Sequence, residues 1–140
     1  MTENAVAEEI VDAAFRIHTT LGPGLLESVY HAVLAYELAQ RGLQTVSQQG
    51  VPVIYGTLRI DIGFRADLIV EDLVIVEIKS VEAAAPVHRK QLLTYLRLAD
   101  KRLGLLINFN AVLIKDGISP IVNGLEELSH EKPQGRQEDE

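Results

Sequence analysis

Residues 61–80, Asp-Ile-Gly-Phe-Arg-Ala-Asp-Leu-Ile-Val-Glu-Asp-Leu-Val-Ile-Val-Glu-Ile-Lys-Ser, restrict the fold more than any other stretch of the chain. Their density of Ile, Val, Leu and Phe suits two strands of a buried sheet, joined by a tight acidic turn at Glu71-Asp72. Three charges interrupt the apolar run: Asp67, Glu77 and Lys79. A charge inside a sheet is costly unless it is paired, bound to a metal or used chemically. Side chains alternate along a strand, so Glu77 and Lys79 point one way and Ile78 the other. Register decides whether Asp67 joins them. A two-residue turn pairs Asp67 with Val76, on the wrong face, whereas a three-residue turn or a single bulge pairs Val70 with Val74 and Asp67 with Glu77. An odd turn or a bulge is therefore expected. Two adjacent carboxylates repel, and a divalent cation between them is the simplest relief.

A chain of 140 residues is one domain, large enough to bury a core; it is read as residues 1–128 followed by a solvated tail, 129–140. No apolar run approaches the ~20 residues that span a bilayer, and the acidic N-terminus lacks the basic region of a signal peptide. Without cysteine there is neither a disulfide frame nor a thiolate metal site, so a cytoplasmic protein without membrane attachment is the default. The net charge of −7 weighs against a broad basic surface for nucleic acid, and the folded part stays acidic after the tail is set aside.

Along the chain, Val6, Ile10, Ala13, Ala14, Ile17 and Leu21 fall on one helical stripe between residues 4 and 20, which Leu21-Gly22-Pro23-Gly24 stops. A second helix is expected from Leu25 to Arg41, with Leu26, Val29, Tyr30, Val33, Leu34 and Leu38 on its apolar arc; Glu27 and Glu37 fall inside that arc. Residues 43–60 suit two strands with a turn near Gly50 or Gly56, and Pro52 marks an edge strand. Pro86 suits the first turn of a helix reaching Arg102, on which Val87, Gln91, Leu92, Tyr95, Leu98 and Ala99 share an arc and the Gln91 amide lies among apolar neighbours. Leu103 to Phe109 forms an apolar strand, and Val112 to Val122 one or two shorter strands around Asp116-Gly117.

Together, Glu27, Asp67, Glu77-Ile78-Lys79 and Gln91 with Tyr95 suit phosphodiester hydrolysis, which needs an activated water and stabilised phosphate charge. Magnesium on oxygen ligands supplies both, with manganese able to substitute. Asp67 and Glu77 would be direct ligands, the Ile78 carbonyl a third, and Glu27 would act through water. Lys79 would orient the attacking water, while Gln91 and Tyr95 position Lys79 or the phosphate. Taken singly, each has an ordinary explanation: an exposed ion pair for Glu77 and Lys79, a helix-dipole role for Glu27, core packing for Gln91 and Tyr95, and structural roles for His18 and His88. Arg89, Lys90, Arg97 and Lys101 are expected to form a solvated helix face rather than a DNA track.

Gly24-Leu25-Leu26-Glu27-Ser28-Val29-Tyr30 resembles the signature of the GxxExxY protein family, a branch of the PD-(D/E)XK nuclease superfamily. Leu21-Gly22-Pro23-Gly24, Phe64-Arg65-Ala66-Asp67-Leu68, Val76-Glu77-Ile78-Lys79 and Leu105-Leu106-Ile107-Asn108-Phe109 are similar to the family pattern as well, and the likeness runs from Ile10 to Gly124. Gln91-x-x-x-Tyr95 resembles the motif that follows the active site in RecB-type nuclease domains. Ser119-Pro120 stand where the family tends to carry basic residues. The resemblance implies an α/β fold with a restriction-endonuclease-like core, a mixed central β-sheet flanked by α-helices. It also implies magnesium-dependent cleavage of DNA or RNA through Asp67, Glu77 and Lys79, with Glu27 as the helix acid. Acidic charge and small size suggest a homodimer, a protein partner or a restricted substrate such as ends or single strands. The alternative is a catalytically inactive module of the same fold that binds nucleic acid or protein.

Overall fold

The computed structural model describes residues 1–125, and the expected tail at 129–140 lies outside them. Helix α1, Glu3–Leu21, starts where the Thr2 hydroxyl accepts the Ala5 N–H at 3.1 Å and ends at Gly22, whose φ of 74° a side chain would resist. Its stripe Val6, Ile10, Ala13, Ala14 and Ile17 is buried as the spacing requires, whereas Leu21 is exposed. Helix α2, Glu27–Gln40, buries only Tyr30, Leu34 and Leu38. Leu26, Val29 and Glu27, expected on its buried side, are exposed, because the helix begins at Glu27 and its first turn overhangs the core. Arg41 ties the two helices, bonding Glu9 at 3.1 Å, Asp12 at 2.8 Å and Glu37 at 3.1 Å.

Five strands form one mixed sheet in the order β1-β2-β3-β4-β5: Thr45–Tyr55, Leu58–Val70, Val74–Lys79, Leu103–Asn108 and Ile118–Val122. The β3–β4 pair is parallel and the others antiparallel. A parallel pair needs a crossover, here helix α3, Pro86–Ala99. The β1–β2 turn falls at Gly56 rather than Gly50, and Pro52 sits on the outer strand beside a register shift, where a missing amide costs least. Helix α3 stops at Ala99, short of Arg102, because Asp100 adopts the left-handed conformation. The segment from Val112 to Val122, expected to hold one or two strands, holds one, β5, preceded by a single helical turn, α4 (Ile114–Gly117).

Apolar residues pack on both faces. On one, α1, α2 and Ile114 of α4 cover Leu68, Val70, Val74, Val76, Ile78, Leu105 and Ile107. On the other, Leu92 and Leu96 of α3 cover Phe64, Ala66, Ile69, Ile75 and Leu106. The buried side of α3 is thus Leu92 and Leu96 with Tyr95 and Ala99 beside them, while Val87 and Leu98 of the expected arc are exposed. Helix α3 can approach β4 closely because residue 104 is glycine: a Cβ there would stand 3.0 Å from Cγ and Cδ1 of the fully buried Leu92. Gly104→Ala is therefore expected to destabilise the fold by about 1–3 kcal/mol in urea denaturation. Most of that penalty should vanish in a Leu92→Ala background, where the clash partner is gone.

Candidate active site

The β2–β3 hairpin turns through three residues, Glu71, Asp72 and Leu73, so that Val70 pairs with Val74, Ile69 with Ile75 and Leu68 with Val76. Glu71 and Asp72 both take positive φ, 54° and 56°. Carried one step further, this odd turn sets Asp67 against Glu77, the register that puts both acids together. The regular ladder ends at that step. The Asp67 N–H donates to Glu77 Oε2 at 3.0 Å, and the Ile78 N–H donates to Asp67 Oδ2 at 2.8 Å. Each carboxylate takes the place of a carbonyl that the diverging strands no longer supply.

Asp67 also sits at a slip in strand alternation. Phe64, Ala66, Leu68 and Val70 would share a face in a regular strand, yet the first two pack under α3 and the last two under α1 and α2. Opposite, Gln48 of β1 has a φ of 56°, and its amide donates to Asp67 Oδ1 at 3.4 Å. The irregularity in both strands turns Asp67 out of the apolar layer and toward Glu77.

Glu77 is 7% exposed and lies on the α3 face, two residues beyond Ile75. Burial first, and the charge of Asp67 second, raise its pKa from the usual 4.5 to about 7; the hydrogen bond from the Asp67 amide and the charge of Lys79 offset part of this. Tyr95 is half-buried with its ring stacked on Phe64, centroids 3.9 Å apart, and its hydroxyl pKa is raised by burial and by the charges of Glu77 and Asp67. Tyr95 therefore borders the pair. Gln91, one turn earlier, is exposed instead of lying among apolar neighbours, so it stands at the rim.

Glu27 reaches the same end of the sheet by another route. Its carboxylate accepts the Ser80 N–H at 3.2 Å, next to Lys79, and its charge adds to the upward shift of Glu77. Ser80 also donates its hydroxyl to the Leu25 carbonyl at 2.6 Å. The fully buried Tyr30 stacks on Phe109 at 4.6 Å while its hydroxyl donates to Gly22 O at 2.5 Å and accepts the Leu25 N–H at 3.1 Å. Tyr30 and Ser80 thus hold the Gly22–Leu25 loop that delivers Glu27. Buried Asn108 fixes the segment after Ser80, exchanging hydrogen bonds with Val81 at 3.1 and 3.0 Å. Sequence patterns count Tyr30 and Asn108 as core; the clue to Tyr30 is a phenol on an apolar arc beside a Gly-Pro-Gly loop with unpaired backbone groups. His18 bonds the Ala111 carbonyl at 2.8 Å, and His88 accepts the Ala85 N–H at 3.1 Å, both structural roles.

The acids converge in part. Asp67 and Glu77 stand together, Glu27 is held at Ser80 just past the end of β3, and among the described residues no three Asp, Glu, His or Cys side chains form a group able to hold a metal. The donor set does fit magnesium or manganese: it is all oxygen, two carboxylates suffice for an ion that retains its waters, and among the described residues neither acid has an ion-pair partner within 4.0 Å.

Glu77 also makes stability depend on pH. The folded protein holds this proton more tightly than the unfolded chain, so its contribution is greatest below pH ~4.5 and is lost as pH rises to about 7. The loss is bounded at roughly 3 kcal/mol. Urea denaturation of Glu77→Gln should show that slope flattened and the variant more stable than the parent at pH 8. Parallel profiles for the two proteins would refute the assignment.

Comparison with known proteins adds the evolutionary frame. No curated protein matches the sequence. The crystal structure of SSO0001 is similar, with a TM-score of 0.53, 23% identity and 72% of this chain covered; the match spans about half, 52%, of that protein. It supports the mixed sheet and its flanking helices. A family model of the PD-(D/E)XK nuclease superfamily matches residues 4–121, and the chain belongs to that superfamily.

Proposed function

We propose that this chain is a divalent-cation-dependent nuclease that hydrolyses phosphodiester bonds of DNA or RNA. The observation that carries this reading is the carboxylate pair of half-buried Asp67 and buried Glu77, with Lys79 two residues along the same strand face. Asp67 and Glu77 would hold magnesium, with the Ile78 carbonyl as a third donor, and Glu27 would act through a water from its place at Ser80. The bound ion supplies a polarised water and offsets phosphate charge. Ion binding favours ionised Glu77 and so opposes the burial that keeps its proton on. Lys79 orients the attacking water and offsets charge as it builds on the phosphate. Tyr95, held flat by Phe64, and Gln91 at the rim place the scissile phosphate against the pair.

The same geometry also gives weight to an inactive module. Both carboxylates already accept strand amides, so the pair can serve as a hinge between β2 and β3 without any ion. Calorimetry with magnesium separates the two: millimolar binding by the parent, and its loss in Asp67→Asn, are expected of the nuclease. Cleavage of labelled DNA and RNA with magnesium or manganese should fall at least ~100-fold in Lys79→Ala and in Asp67→Asn. Equal cleavage by all three proteins sinks the nuclease reading.

A further inference from the structure

The cations of the described residues divide into two sets. Arg16, Arg41, Arg59, Lys101 and Arg102 each lie within 4.0 Å of an acid. Arg65, Lys79, Arg89, Lys90, Arg97 and Lys115 have no such partner among the described residues, and all but Lys115 come from the β2–β3–α3 part that carries the acid pair. Helix α3 contains no acid at all, whereas α1 carries Glu3, Glu8, Glu9 and Asp12, and α2 carries Glu27 and Glu37. The two helical layers are thus oppositely charged beneath an overall charge of −7.

The arrangement of the unpaired set is regular. Arg89, Lys90 and Arg97 are exposed and fall within about 100° of one another around α3; Lys90 and Arg97 point about 100–160° away from Leu92 and Leu96, which pack on the sheet, and Arg89 flanks that apolar edge. The three cations span ~12 Å of helix axis. Arg65, between Phe64 and Ala66 that pack under α3, is exposed on the other face of β2, where it bonds the Gln48 carbonyl at 3.3 Å and stands outside this set. Unneutralised like charges side by side repel and contribute nothing to folding, in a chain with twenty acids available to pair them. A polyanion relieves that repulsion, and the acidic α1–α2 layer keeps the same polyanion off the far side.

We propose that Arg89, Lys90 and Arg97, continued by Lys79, form a track for the sugar–phosphate backbone of a nucleic acid strand, which approaches the acid pair along α3. Three cations over that span meet two or three phosphates. The proposal rests on the nuclease reading for what lies at the end of the track, but it is tested by binding alone.

The test uses the full chain in EDTA, with fluorescence anisotropy of labelled single-stranded and duplex DNA and RNA 20-mers from ~20 mM salt upward. A variant carrying Arg89→Gln, Lys90→Gln and Arg97→Gln should bind at least ~10-fold more weakly, with a salt slope shallower by about 2–3. A charge-matched control, Arg16→Gln with Arg59→Gln and Lys115→Gln, should bind like the parent. Equal loss in the two variants, no loss in the first, or no binding by the parent at the lowest salt would each overturn the track. Binding without cleavage when magnesium is restored would sink the nuclease reading and leave the track intact. Cleavage unaffected by the α3 substitutions would sink the track alone. Circular dichroism checks that both variants fold, and Arg97→Gln alone, expected to lower the slope by about 1, gives a second readout if the triple variant does not.

Discussion

The molecule depends on an exchange of hydrogen bonds between two carboxylates and two strand amides. At Asp67 and Glu77 the β2–β3 ladder stops, and each acid accepts an N–H from the other strand. A strand junction of this kind leaves two negative charges where an ordinary sheet has neutral carbonyls. The fold tolerates them at the expense of a raised Glu77 pKa, and the apolar layers on both sides prevent water from relieving it. Sheet register, acid placement and the protonation of Glu77 are therefore one property seen at three scales.

The second half of the site is held by contacts that carry no charge. Tyr30 sits in the core with its ring on Phe109, and its hydroxyl satisfies both a carbonyl and an amide of the Gly22–Leu25 loop. Ser80 grips the same loop from the sheet side. Glu27 is thus fixed by its neighbours on both flanks, although it is itself exposed. Acids on a helix start and on a strand end, remote in sequence, come to the same end of the sheet because a phenol and a serine share one short loop.

How far the sequence discloses this differs between elements. The hairpin register was legible because three charges in an apolar run can share a face only with an odd turn, and the turn at Glu71 to Leu73 has that length. Helix α3 and strand β4 were legible from Pro86 and from an unbroken apolar run. Glu27 and Gln91 were misplaced because helical periodicity assigns angles around an axis and says nothing about where the neighbouring layer ends. Glu27 begins its helix beyond the edge of that layer, and Gln91 stands at its rim. The slip at Asp67 has a similar origin: two strands become irregular together, at Gln48 and Asp67, and no single-strand pattern encodes a paired irregularity.

Net charge is the least informative quantity in this chain. Counting twenty acids against thirteen bases suggests a protein that repels polyanions everywhere. The pairing pattern contradicts that, since Glu3, Glu9, Asp12 and Glu37 pair with Arg41 and Arg102 around α1 and α2, while among the described residues the cations of α3 have no acid within 4.0 Å. Screening lets a ligand feel only the charges within about a Debye length, roughly 8 Å at physiological salt. On that scale the two helical layers are different surfaces, and the one that borders Glu77 and Tyr95 is the one whose cations lack acidic partners among the described residues.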